Sequence, residues 1–104
     1  MTERLTLALR VPDDHPAFPG HFPAQPILPG AALLDLIVEA LRESLGRAPG
    51  ALALASAKFL APVGPGSQLS VTAVQTASGR WRCSAHDACG AKVAQCEFDW
   101  GGAA

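Results

Sequence analysis

"PGAALLDLIVEALRESLG", Pro29 to Gly46, is the one clear helix of this 104-residue chain, and its composition decides the fold. Alanine and leucine at this density favour helix. Pro29 stands at or near the first turn, where its missing N–H costs nothing, and Gly46 is a natural left-handed terminator. The first three turns are apolar on nearly every side, interrupted only by Asp35 and Glu39. Such a helix is surrounded by other structure rather than laid on a surface.

The segments on either side supply that surrounding. Leu5, Leu7, Leu9 and Val11 alternate with Thr6, Ala8 and Arg10, the period-two pattern of a strand with one buried face. Beyond the helix, Leu52, Leu54, Ser56, Lys58 and Leu60 alternate with alanines and Phe59, bounded by Pro49-Gly50 and Pro62. Leu69, Val71 and Ala73 lead the next run, then Trp81, Cys83 and Ala85, then Ala94, Cys96, Phe98 and Trp100. Turns around Gly79 and Gly90 join the last three. The expectation is an α+β domain over residues 1–104, a curved antiparallel sheet wrapped around one central helix, with a frayed tail at 101–104.

Nearly half the residues are hydrophobic and 16% are charged, which excludes disorder and leaves apolar surface for a two-fold dimer. A formal charge of −1 gives no basic field for nucleic acid. The charged N-terminus is not the pattern of a signal peptide, and no apolar run reaches membrane-spanning length. Cys83, Cys89 and Cys96 have no C-x-x-C spacing, so they read as reduced thiols of a cytoplasmic protein.

Five of the nine prolines fall in "HPAFPGHFPAQPILPG", His15 to Gly30, immediately before the helix. The P-x-x-P spacings fit an exposed polyproline ligand, but Phe18, Phe22, Ile27 and Leu28 want a core. His15 and His86 read as structural. His21 is different, because a loop this dense in proline holds its imidazole in place. A carboxyl such as Asp35 or Glu39 on an oily helix either lines a polar seam, pairs with an arginine, or serves as a general acid. If both Asp35 and Glu39, one turn apart, are buried, the two acids share a proton, and Glu39 either modulates the acid by keeping Asp35 protonated or becomes the working acid itself. Gly30 opens the helix, and its N–H at the positive end of the macrodipole suits a carbonyl oxygen gaining charge.

"FPGHFPAQPILPGAALLD", Phe18 to Asp35, resembles the active-site motif of the β-hydroxyacyl-acyl-carrier-protein dehydratases, G-H-F-P-x-x-P-x-x-P-G followed by an acid fourteen residues after the histidine. "AKFLAPVGPGSQLSV" resembles, more weakly, the family's basic-aromatic strand and proline turn. The resemblance implies the hotdog fold and a homodimer, or an assembly of dimers, whose sites combine one subunit's histidine with the other's acid. It implies His21 as base, Asp35 as acid, Gly30 as carbonyl donor, and Phe18, Phe22, Ile27 and Ala31 along the substrate tunnel. It implies no metal and no cofactor, with the acyl group arriving on the phosphopantetheine of acyl carrier protein or on coenzyme A. Arg42, Arg47, Lys58, Arg80, Arg82 and Lys92 are available for an acidic carrier. Asp rather than Glu at position 35 resembles the branch that also isomerises the new double bond. Ala24 stands where the family usually has glycine, and Glu39 where many members have glutamine. A hotdog thioesterase and a non-catalytic acyl-binding subunit remain as alternatives.

Overall fold

The computed structural model describes residues 3–15, 27–46 and 52–100. The elements are β1 (Glu3–Arg10), α1 (Gly30–Leu45), β2 (Leu52–Phe59), β3 (Gln68–Gln75), β4 (Trp81–His86) and β5 (Lys92–Trp100). The five strands form one antiparallel sheet in the order β1-β3-β4-β5-β2. The last three strands are joined by tight turns at Gly79 and Gly90, both at positive φ, and so pair as neighbours. Asp87 Oδ1 accepts from the Cys89 and Ala91 N–H groups and ties the second turn.

The strands after the helix are therefore not four consecutive neighbours. β2 lies on the far edge beside β5, and β1 takes the place next to β3. The segment between β2 and β3, with Pro62 and Pro65, crosses over to make this possible. It is held by Leu28 N–H donating to Val63 O at 2.7 Å and Val11 N–H to Ser67 O at 2.9 Å.

β2 also departs from a single alternation. Leu54 pairs with Phe98 but Ser56 pairs with Glu97, so Ala55 is an extra residue, a β-bulge. The bulge changes the phase of the strand. Leu52 and Leu54 share the helix side with Ala57 and Phe59, whereas Ser56 and Lys58 lie on the outer side, in register with Glu97 and Gln95.

The core lies between α1 and the inward residues of β3, β4 and β5. Leu33, Ile37 and Leu41, spaced one turn apart, supply the helix side. Trp81, Phe98, Val71 and Cys83 are among the largest fully buried side chains opposite them. No charged or polar residue is buried among the described residues. The buried Trp81 Nε1 has no hydrogen-bond partner among them. Cys83 and Cys96 face one another across β4 and β5. Contact with the Cys96 thiol, with burial as the lesser cause, pushes the Cys83 thiol well above the ordinary range.

A single sheet covers one stripe of a helix, and that limits the burial of α1. Its opposite stripe, Ala31, Asp35 and Glu39, is exposed. The condition under which Asp35 and Glu39 would share a proton, burial of both, is thus not met in the single chain. Glu39 instead accepts a hydrogen bond from Arg42, whose guanidinium it holds more firmly protonated.

Candidate active site

The site begins with the way α1 starts. Pro29 is the N-cap, with φ −59° and ψ 147°, and its ring offers no side-chain acceptor to the first turn. No acidic residue occupies that turn. The first N–H groups of a helix have no partner inside it, so Gly30 presents its donor at an uncapped positive helix end.

That end opens into a cavity of about 280 Å³ that the described residues line with apolar side chains. Ile27, Leu28, Gly30 and Leu33 line one side, and Phe59, Leu60 and Val63 the other. The entry segment and the β2–β3 crossover are stitched together by the Leu28–Val63 hydrogen bond, which holds the two walls at a set separation. Glycine at position 30 has a local cause. A Cβ there would stand 2.6 Å from Phe59 Cε2, well inside van der Waals contact. A smaller hollow of about 120 Å³ lies on the outer face of the sheet, where Arg82, Lys92 and Glu97 mix both signs of charge. It is on the opposite side from Gly30.

Of the residues singled out by sequence, Gly30 and Ile27 meet in the cavity. Asp35 lies five residues along the helix from Gly30, an axial rise of about 7.5 Å, on the exposed stripe that begins at Ala31. Glu39 follows it, paired with Arg42. His21, Phe18 and Phe22 lie outside the described residues, as does Arg47. Phe59, Leu60 and Val63 are wall residues that the sequence reading did not assign. Their signal was the basic-aromatic strand and proline turn, which point to the fold before they point to the cavity.

The basic residues considered for a carrier protein are mostly engaged. Arg42 pairs with Glu39, Arg80 with Asp99 and Arg82 with Glu97, and Lys92 Nζ donates to Gln95. Among the described residues, no group of three His, Cys, Asp or Glu side chains could hold a metal ion. No described helix is long and apolar enough to cross a membrane.

Comparison with known proteins gives the arrangement a context. A family model described as ApeI-like, ApeI dehydratase, matches residues 1–96. The 3-hydroxyacyl-[acyl-carrier-protein] dehydratase FabZ of Cupriavidus taiwanensis is 36% identical over 112 residues, covering 93% of this chain and 72% of that one. Against other FabZ relatives, the chain spans about half of their length. The dehydratase heterocomplex ApeI:P from Xenorhabdus doucetiae superposes with a TM-score of 0.73 at 24% identity, covering 96% of this chain and 93% of that one. The fluoroacetyl-CoA thioesterase FlK has the same fold at 0.66 and 21%, covering 96% of this chain and 86% of that one. The five-stranded antiparallel sheet with its single helix is the hotdog fold, and the chain belongs to the ApeI-like family of dehydratases.

Proposed function

We propose that the protein eliminates water from β-hydroxyacyl thioesters to give trans-2-enoyl thioesters. The observation that carries this reading is the uncapped N-terminus of α1, free of acidic side chains and opening at Gly30 into that cavity. A thioester carbonyl accepting from the Gly30 N–H gains charge as the α-proton leaves, and the helix end stabilises that charge. His21 takes the α-proton. The C–H electrons form the new double bond, the Cβ–O bond breaks, and Asp35 protonates the departing hydroxyl, which leaves as water. The α-proton and the β-hydroxyl leave with no net redox change, so with His21 as base and Asp35 as acid the step is written without a metal or a redox cofactor.

Asp35 faces away from the sheet of its own chain, and this fits a site completed by a second copy. β2 is an edge strand, and Leu54 on it and Leu60 just beyond its end are exposed large hydrophobic residues of the described chain. Pairing two copies along β2 covers these side chains and brings each exposed helix stripe against the partner. The FabZ relatives are named for acyl-carrier-protein substrates. A carrier phosphopantetheine, or coenzyme A, reaching the cavity of a cytoplasmic homodimer is the corresponding reading here, with Lys58 the basic residue nearest Phe59 in the chain.

The test offers the purified protein a 3-hydroxyacyl thioester on carrier protein and on coenzyme A, and follows enoyl formation by absorbance. Turnover by the parent and loss of at least a hundredfold in His21→Ala and in Asp35→Asn is expected, the scale of a lost acid or base. Release of free thiol instead supports a thioesterase. No reaction on either carrier supports an acyl-binding subunit.

A further inference from the structure

Phe59 is fixed where it can meet a substrate. Its backbone lies in register with Ala94, and the next two residues, Leu60 and Ala61, donate to Val93 O at 2.8 and 3.4 Å. Phe59 is nevertheless 48% exposed in the single chain, with its ring against Gly30 and the residue lining the cavity. Ring atoms Cε2, Cδ2 and Cζ stand 2.6, 2.8 and 2.9 Å from the point a Cβ on Gly30 would occupy. Carbon atoms need about 3.5–4.0 Å, so no methyl-sized group fits between the ring and the start of the helix. Among the described lining residues, Leu28, Leu33 and Val63 are buried side chains that cannot give way cheaply.

We infer that Phe59 is a specificity-determining residue that restricts this site to acyl groups unbranched at the carbon beside the thioester carbonyl. The inference rests on the dehydration site proposed above. A carbonyl oxygen accepting from the Gly30 N–H lies about 2.9 Å from that nitrogen, and the α-carbon follows one bond beyond the carbonyl carbon. A substituent on that carbon enters the space bounded by the Phe59 ring, whereas a linear chain runs past it.

The test has two arms. The first compares kcat/KM for a 3-hydroxyacyl thioester and its 2-methyl counterpart in the parent, Phe59→Leu and Phe59→Ala. The parent is expected to disfavour the branched substrate by about tenfold or more, the worth of a methyl group at a tight apolar wall. Phe59→Ala should cut that ratio by at least fivefold, and Phe59→Leu, which keeps more of the strand packing, should cut it less. The second arm measures by calorimetry the binding of butyryl and 2-methylbutyryl ketone analogues of pantetheine, with CH2 in place of sulfur and no hydroxyl to lose. The affinity ratio should fall in the same order. An unchanged ratio across the three proteins in either arm overturns the assignment. If no variant turns over substrate but the affinity ratio moves as expected, dehydration is wrong and the role of Phe59 stands.

Discussion

Replacing Gly30 with alanine tests the contact on which the site is built. The new Cβ would stand 2.6 Å from Phe59 Cε2, 2.8 Å from Cδ2 and 2.9 Å from Cζ. Reaching a normal separation moves the ring by about 1 Å. Overpacking of this kind costs roughly 1–3 kcal/mol in a closed core. Phe59 is on an edge strand and half exposed in the single chain, so the low end applies. Against it stands the preference of helices for alanine over glycine, up to about 1 kcal/mol in a helix interior and less at the first position. The expected sum is a loss of about 0.5–1 kcal/mol in Gly30→Ala. In a Phe59→Ala background the ring is gone and only the propensity gain remains, so the same change becomes neutral or slightly stabilising. The coupling between the two sites is then about 1 kcal/mol, within the range for residues in contact. Urea unfolding of the four proteins at one protomer concentration measures it, the fixed concentration removing any contribution from association. Equal destabilisation by Gly30→Ala in both backgrounds would refute the reasoning.

Thiol labelling of the native protein should modify Cys89, which is exposed, and spare Cys83 and Cys96 until the chain is unfolded, when all three react. Leu54→Lys on the edge of β2 should weaken self-association by about tenfold or more, since each copy loses roughly half a leucine of burial; sedentation of the variant as parent-sized assemblies would contradict pairing along that edge. The Arg80 guanidinium holds the Asp99 carboxyl below its ordinary value of 3.8. A depressed folded value stabilises above the unfolded value and is lost as pH falls through the folded one. Thermal melts should therefore show parent and Arg80→Met converging as the pH drops below 3.8, and the small gap above it closing in high salt because the pair is exposed.

Much of the fold could be read locally. Gly46 ends α1 with φ 65°, its N–H reaching Arg42 O and Glu43 O, as its position after an alanine- and leucine-rich run suggests. Ala94, Cys96, Phe98 and Trp100 point inward as their alternation implies. What local pattern does not carry is the choice of partner. Nothing in the residues of β2 says that it pairs with β5 rather than β3, because that depends on the crossover through Pro62 and Pro65. Asp35 illustrates a different gap. An all-round apolar helix predicts cover on every side without saying that one chain supplies only the Leu33, Ile37 and Leu41 side. Gly30 was legible as a donor from its place at the helix start. The reason it is glycine depends on Phe59, distant in sequence and brought in by the sheet.

The bulge at Ala55 has one more consequence, for how this strand tolerates change in length. A deletion in a strand ordinarily turns every later side chain over, sending core residues to solvent. Here Leu54 faces the helix and Ser56 faces out, so removing Ala55 joins two segments already in step. Ala57 and Phe59 would keep their side, and Lys58 its own. The inserted residue is thus surplus to the polarity of the strand and serves its shape, adding bend and twist at a free border of the sheet. A chain without Ala55 would retain the same interior behind a straighter border, separating the folding of the domain from the contour it offers to a neighbour.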